Sequence, residues 1–540
     1  MTGVATPTAN REVAAPPRRR RSPREWLADQ DSRELWLWVA LVAVALVLRL
    51  VHLADRPFHH DESQDAYFSW LFRKTGDYEY NPLLHGPLRF YLTGLMYLLF
   101  GDSDFTARLA PALMGTTMVA LPFGLRRQMG RLGAYLAAAL LAFEPTYLYF
   151  SRFAREDIYI ACLTLALIVV IWRFLDQPRK GHPALIGALL ALSFATKEST
   201  FITVFVMGGF FLAAVIARPT RDRVWGPVSG VGLEAWGWAL AAFAGVFTVL
   251  FTTFLTHPHG LWDGVYTGLK YWLSQQPVAR GGEPKSFYLV LLFGVEWPAL
   301  LFGAIGAVSV LKRGSLFGMF LIWDFVLSLA VYSWASEKFA WLVMHPLLSL
   351  LLLSGMGLQA IWRARGAWRW VGVVAAAVAI VYYAASSYRI NFGGHGADPA
   401  ELLVSTQSST EVKQTAEQVL SLAASRGPGK PPLTVTVDAA DGATFPYAWY
   451  WRHLSVGYID ESLPNAQPPT TDVVVLTDQS RVRLGRALAG YDGREFDFRV
   501  WWVRDYGAMS IGNWWNWIVH RKVWNPTGGM PEWLYVKKGE

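Results

Sequence analysis

Long apolar runs separated by short polar segments fill most of the first 390 residues. The first run, about 35–54 (LWLWVALVAVALVLRLVHLA), is long enough to cross a hydrocarbon core of ~30 Å. Similar runs follow at about 106–125, 132–150, 157–175, 183–197, 199–217, 234–255, 286–311, 315–334, 341–361 and 368–388, so the pattern predicts about eleven spans. The stretch at 80–101 is broken by Pro82 and Pro87, and the apolar piece after them is short for a span; it predicts a helix lying along the interface. HPHGLWDGVYTGLKYWL (257–273) predicts a second interfacial helix, placed to roof a cavity. From 389 onward the pattern changes. Ser408 and Glu411 suggest a capping box ahead of Val412, Ala416, Val419, Leu420 and Ala423 at helical spacing. LTVTVDA (433–439) and VVVLTD (473–478) read as strands. The expected fold is mainly α: a polytopic transmembrane domain over 35–388, then a smaller C-terminal α/β domain over 389–540. No repeat of fixed period interrupts this order.

Charge sets an orientation. Residues 1–34 carry Arg18–Arg21 and four prolines, and read as a disordered basic tail. With that tail inside, the predicted cytoplasmic loops hold Arg126, Arg127 and Arg131, then Arg173, Arg179 and Lys180, then Arg218, Arg221 and Arg223, then Lys312 and Arg313, then Arg363, Arg365 and Arg369, as the positive-inside rule asks. An odd number of spans then places 389–540 outside the cytoplasm, so the expected location is the cell membrane, multi-pass. Composition agrees with this picture: 53% of the 540 residues are hydrophobic and 17% charged, too few charges to cover a soluble protein of this length. Cys162 is the single cysteine, which excludes an internal disulfide and a cysteine-based metal or redox site. The net charge of +8 sits in the inner loops and the tail, so no nucleic-acid partner is expected.

The outer loops gather the candidate chemistry. RPFHHDESQDAYF, just past the first span, carries His59, His60, Asp61, Glu62 and Asp65. An acid beside a low-dielectric surface has a strained protonation equilibrium and suits a general base. His85 and Arg89 in the next stretch would sit at headgroup level. SRFAREDIY packs Arg152, Arg155, Glu156 and Asp157 between two spans, where charge is costly unless used. Lys197 and Glu198 interrupt FATKESTF. Glu337, Lys338 and His345 lie in YSWASEKFAWLVMHP. Carboxylates and cations on one membrane side suit a lipid-linked phosphate whose head group reacts outside, with Arg89, Arg155, Lys197 and Lys338 as phosphate ligands.

At these residues the chain resembles a known superfamily. The Asp61-Glu62 pair after the first span resembles the signature of GT-C glycosyltransferases. NPLLHGPLRFYL, GDSDFTARLAPALMG, SRFAREDIY and ATKES follow in the order of the protein O-mannosyltransferase and aminoarabinose-transferase branch, and the likeness is to its prokaryotic members labelled flippase-activity-associated. It covers 35–200 well and 330–360 more weakly. The resemblance implies GT-C architecture and transfer of a sugar, with inversion, from a polyprenyl-phosphate carrier to a protein, lipid or glycan acceptor outside. It implies Asp61 as the base with Glu62 beside it, Asp157 with Glu156 as the second-loop acids, and Lys197 on the donor phosphate. Glu156, His60 and His85 are assigned to the sugar or acceptor. No cofactor is certain. A divalent metal, Mg or Mn, would use Asp61 and Asp157, but Glu156 and Asp157 are adjacent, whereas oligosaccharyltransferases of this superfamily space these acids at alternate positions.

In the outer domain, WYWRH (449–453), RVWWVRDYG (499–507) and NWWNWIVHRKVW (513–524) concentrate aromatic residues with arginine. Trp451 and Arg452 are expected to meet a sugar, and 513–524 to rest the domain on the bilayer interface or on the membrane domain. Trp501 to Gly507 has the letters of the oligosaccharyltransferase acceptor motif with two residues inserted. Three alternatives stand beside the sugar transferase: an oligosaccharyltransferase-like protein glycosylation enzyme, a lipid-linked-sugar transporter or flippase accessory, and an inactive scaffold that binds lipid-linked glycans. A transporter would need charges at mid-membrane and repeated halves; the charges are expected at one interface.

Overall fold

The computed structural model describes residues 32–427 and 430–539. The basic tail at 1–31 lies outside the described residues, and Ser32 to Glu34, assigned above to that tail, already belong to the first helix, Ser32–Leu50. Each predicted span contains a helix, but several are not straight rods. Five helices are long and apolar enough to cross a bilayer, and seven if each of two bent pairs counts as one span. The shorter apolar helices Leu88–Phe100, Arg131–Phe143 and Gly181–Phe194 add to them, so length and composition do not fix the number at eleven.

The breaks have local causes. Pro145 forces Glu144 to extended backbone, ending Arg131–Phe143, and the Glu144 carboxylate then caps Pro145–Phe150 through the N–H groups of Thr146 and Tyr147. Phe287–Gly294 and Trp297–Arg313 meet at 94°, with Pro298 in the first turn of the second. Met344–Arg363 is buried along nearly all its length and forms the axis of the bundle. Glycines let neighbours approach it: a Cβ on Gly357 would fall 2.0 Å from the Phe302 carbonyl oxygen, and one on Gly355 2.4 Å from that of Gly133. The interfacial stretch at 257–273 is helical from Gly260 with a π-turn at Asp263–Thr267.

Beyond Ala367–Asn391 the chain forms a six-stranded sheet. Its strands are β1 (Gln407–Ser408), β2 (Thr434–Asp438), β3 (Ser455–Ile459), β4 (Val473–Thr477), β5 (Tyr491–Trp501) and β6 (Gly528–Lys537). Their order is β1-β5-β6-β4-β2-β3, with β4, β2 and β3 parallel and the other pairs antiparallel. The cap of Thr410–Ser425 is Ser409, one residue after the expected Ser408, which pairs in β1. This domain has a small core of its own at Val474, Leu476, Leu484 and Leu488, but its larger cluster is shared with the membrane domain. Val435, Val473, Tyr447, Trp449 and Phe498 pack in one cluster with Phe58, Trp70 and Tyr97. Trp449 stacks on Tyr97 and donates to Asp104 Oδ1 at 2.9 Å.

Candidate active site

Asp61 and Glu62 open the helix His60–Thr75, where the unpaired N–H groups and the helix dipole favour acids. The two acids have opposite surroundings. Glu62 is wholly buried: Arg108 donates to both its oxygens at 2.9 and 3.0 Å, Arg56 at 3.1 Å, and the backbone N–H groups of Ala154 and His59 at 2.8 and 3.1 Å. Burial alone would raise its pKa; Arg108 and Arg56 outweigh that and hold the carboxyl at about 2. Glu62 is therefore a fixed structural anion that ties the first loop to the second, and the catalytic assignment made from sequence is corrected. Asp61 keeps an open face. Its side chain is 33% exposed, against 9% for Asp65, 1% for Asp157 and 0% for Glu156 and Glu62.

The second loop comes directly against Asp61. Arg155 lies flat on the Trp341 ring, 4.3 Å from its centroid, donates to Asp61 with one Nη and reaches Glu156 with the other at 2.9 Å. Glu156 also meets Arg89 at 2.7 Å and Lys197 at 3.0 Å. Burial opposes its charge, but Arg155, Lys197, His85 and Arg89 together hold it well below the usual carboxylate range. Lys197 reaches on to Asp157 at 2.9 Å, and His345 stands 3.5 Å from the same oxygen. Burial would lower the Lys197 ammonium; Asp157 and Glu156 raise it instead. Asp61, Glu156, Asp157, Arg155 and Lys197, five of the residues read from the loops, thus form one connected cluster.

Other assignments change. Arg89 is buried between Asp65 and Glu156, at 2.6 and 2.7 Å, so it neutralises two carboxylates and presents no face at headgroup level. His85 Nδ1 lies 2.7 Å from Glu198 Oε2 on the inner side of the same network. His60 contacts the outer domain: Arg499 stands 2.9 Å from its Nδ1. Burial, then Arg499, bring the imidazole down to about 4, so it is neutral at pH 7. Lys338 is buried and donates to the Ala335 carbonyl, so in this structure its ammonium is engaged within the protein. Trp451 is 1% exposed, stacked on Tyr447 and bonded to the Ala416 carbonyl, so it belongs to the outer-domain core. Arg452 donates to Asp102 at 2.8 Å and covers Trp449, holding the two domains together. Both are thus engaged within the protein, where the sequence predicts that they meet a sugar. Trp501 to Gly507 also clamps domains: Arg504 and Tyr506 both donate to Glu283.

Sequence reasoning missed Arg108 and Arg56, the two partners of Glu62, and Trp341 beneath Arg155. Arg108 carried a signal, being a charge at the head of an apolar run. The expectation that charges keep to one interface is corrected as well. Arg49, Glu144, Glu296 and Asp324 are buried in the helical bundle. Each finds a partner there: Asp324 accepts from Ser349 at 2.6 Å, Glu296 from Tyr383 at 2.7 Å, and Arg49 donates to the Leu141 carbonyl at 2.9 Å. Among the described residues no three His, Cys, Asp or Glu side chains gather as a metal ligand set. Asp61 and Asp157 face guanidinium and ammonium groups where a divalent ion would have to stand, so this donor set does not fit one.

Comparison with known proteins agrees with this architecture. The dolichyl-phosphate-mannose-protein mannosyltransferase family matches residues 84–254. No curated protein matches the sequence. Among solved structures, ArnT from Cupriavidus metallidurans bound to undecaprenyl phosphate is similar at a TM-score of 0.58 and 18% identity, over 84% of this chain and 95% of that one. The oligosaccharyltransferase AglB from Archaeoglobus fulgidus, in complex with an inhibitory peptide and a dolichol-phosphate, is similar at 0.52 and 13%, over 86% and 72%. The chain is a multi-pass membrane protein with the fold of the GT-C glycosyltransferases.

Proposed function

We propose that this chain transfers a sugar from a polyprenyl-phosphate carrier to an acceptor on the extracytoplasmic side, with the C-terminal domain on that side and the N-terminus in the cytoplasm. The observation that carries the proposal is the half-open Asp61 held by Arg155 at the head of a cation-carboxylate network. In the resting state Arg155 and Lys197 are engaged by Asp61 and Asp157. A donor phosphate entering beside them draws both cations onto its oxygens and frees Asp61. The acceptor hydroxyl then attacks the anomeric carbon from the face opposite the phosphate, giving inversion. Its proton passes to Asp61 as the new C–O bond forms. The bond from the anomeric carbon to the phosphate oxygen breaks, and the electron pair leaves with polyprenyl phosphate, whose charge Arg155 and Lys197 stabilise. Those two cations take the part that a metal plays elsewhere, so the reaction is read as independent of added metal.

The test uses the full-length protein in detergent, a panel of polyprenyl-phosphate sugars and a cell-envelope acceptor fraction, with and without EDTA. Acceptor-dependent release of polyprenyl phosphate, unchanged by EDTA and lost in Asp61→Asn, is the expected outcome. Undiminished release by Asp61→Asn would remove the base assignment. Loss with EDTA would remove the cation assignment. Passage of lipid-linked sugar across proteoliposomes with no turnover would select the transporter reading, which the self-satisfied pairs of Asp324 and Glu296 do not favour.

A further inference from the structure

A cavity lies beside Arg56, one of the partners of Glu62. It has a volume of about 190 Å³ and is lined by His52, Asp55, Arg56, Arg152, Asn391 and Thr410, with the rings of Tyr149 and Phe392 as walls. Its position is defined by the ends of two membrane helices, Ser32–Leu50 and Ala367–Asn391, where they meet the outer domain at the start of Thr410–Ser425. Apolar side chains along Ala367–Asn391, among them Val378, Ile380 and Val381, are exposed below it.

The wall of this cavity carries two guanidiniums, Arg56 and Arg152, and one carboxylate, Asp55. Arg56, Arg108 and Arg152 are close enough that Arg56 and Arg108 both depress the Arg152 guanidinium. Burial is the larger cause, and together with Arg49 these effects bring Arg152 down to about 9. Against the three guanidiniums stand the buried Glu62, which Arg56 and Arg108 share, and the less buried Asp104 and Asp55, whose charges act on Arg108 and Arg152. Asp55 is at the rim, 68% exposed and paired with His52 at 2.6 Å. Arg152 spends its donors on four backbone carbonyls, those of Leu48, Val51, His52 and Asn391, which hold it in place without cancelling its charge. Among the described residues Arg152 has only the exposed Asp55 as an opposing carboxylate, and a cavity at its side is where an anion would add to that compensation. The Arg56 side chain keeps some exposure, 12%, while it holds Glu62. A phosphate monoester or diester supplies acceptor oxygens for the exposed part of that guanidinium. The volume exceeds the roughly 150 Å³ that accepts a benzene ring, so a phosphate-sized group fits.

We infer that this cavity is a second anion site, separate from the Asp61 cluster, which binds a phosphate group through Arg56 with Arg152 behind it. The group is either the head of an anionic membrane lipid, whose chains would follow the exposed flank of Ala367–Asn391, or a free phosphate. Arg152 and Arg56 are poor positions to test, since both also hold loops together. Asn391→Asp and Thr410→Glu instead place a carboxylate at the cavity, where it competes with an incoming anion from within.

The full-length protein would be melted in detergent with inorganic phosphate or with chloride at equal ionic strength. It would also be melted in nanodiscs of phosphatidylglycerol or of phosphatidylcholine, with native mass spectrometry for retained lipid. The expected result is a rise of about 3 °C or more with phosphate, with phosphatidylglycerol, or with both, absent from Asn391→Asp and Thr410→Glu. A rise confined to phosphatidylglycerol, with a lipid adduct lost in both variants, identifies the lipid head group. A rise with inorganic phosphate identifies an anion that reaches the cavity from solution. No rise in either arm, or one of equal size in both variants, overturns the inference. None of these readouts depends on sugar transfer, so the proposed function can fail while this site stands, and the reverse.

Discussion

Asp61 and Glu62 are neighbours, and the helix that carries them gives them different work. Asp61 points to the open face with Arg155 against it, so Asp61→Asn should lower transfer by about 10²–10⁴, with binding of the lipid carrier retained; turnover beside a lipid pull-down measures both. Glu62 should behave as a structural anion. Its pKa in the folded protein is held at about 2, below its value in the unfolded chain, so the unfolded chain binds the extra proton between these values. Stability from this group is therefore complete above about pH 4.5 and is lost as pH falls towards 2, by an amount on the order of 3 kcal/mol. Glu62→Gln should remove that part of the acid slope in a melting series from pH 6 to pH 3, and should lower the melting temperature at pH 7 because it leaves Arg108 unpaired. A slope unchanged by the substitution would mean that Glu62 is not the titrating group.

Among the elements, the buried helix Met344–Arg363 decides how the bundle closes. Its glycines at 355 and 357 permit backbone contact with Gly133 and Phe302, and no rotamer relieves a Cβ that meets a carbonyl oxygen. Gly357→Leu should thus separate Trp297–Arg313 from it and lower the melting temperature by about 5 °C or more, while Gly208→Ala, with open space around it, should leave the temperature unchanged. The outer-domain segment 449–453 acts as an anchor. Arg452 ties Asp102 and covers Trp449, and Trp449 reaches Asp104. Arg452→Ala should speed amide exchange across Thr444–Tyr450 and across the 101–107 turn together, with little change in affinity for acceptor. A large change in acceptor affinity with exchange unaltered would restore the sugar-binding reading.

For the whole molecule, the shared cluster of Phe58, Trp70 and Tyr97 with Val435, Trp449 and Phe498 makes the two domains one folding unit at that contact. A chain ended after residue 391 would leave those rings on the surface as an exposed apolar patch. It should elute as aggregate on size exclusion where the full-length chain is monodisperse. The contact also carries function, since the helix built on it, His60–Thr75, bears Asp61, and Arg499 of the outer domain reaches His60.

Much of this molecule was readable from local chemistry. Apolar runs located a helix for each span, because burial in lipid demands continuous apolar sequence wherever the segment sits in the bundle. The charged loops marked Asp61, Arg155, Glu156, Asp157 and Lys197, because charge beside lipid is costly and is kept where it is used. The pairing of those charges was not readable. Arg108 and Arg56 find Glu62, and Arg89 finds Asp65 and Glu156, across loops distant in sequence, so the tertiary fold alone separates the open acid from the saturated one. The same holds for Trp451 and Arg452: an aromatic–arginine cluster has the same composition at a sugar site and at a domain contact, and only the position of the neighbouring helix decides between them. Straightness was beyond the sequence pattern too, since the bends at Glu144–Pro145 and before Pro298 answer to packing as well as to proline. The cavity beside Arg56 and Arg152 is lined from four segments, and it exists only once the fold has brought them together.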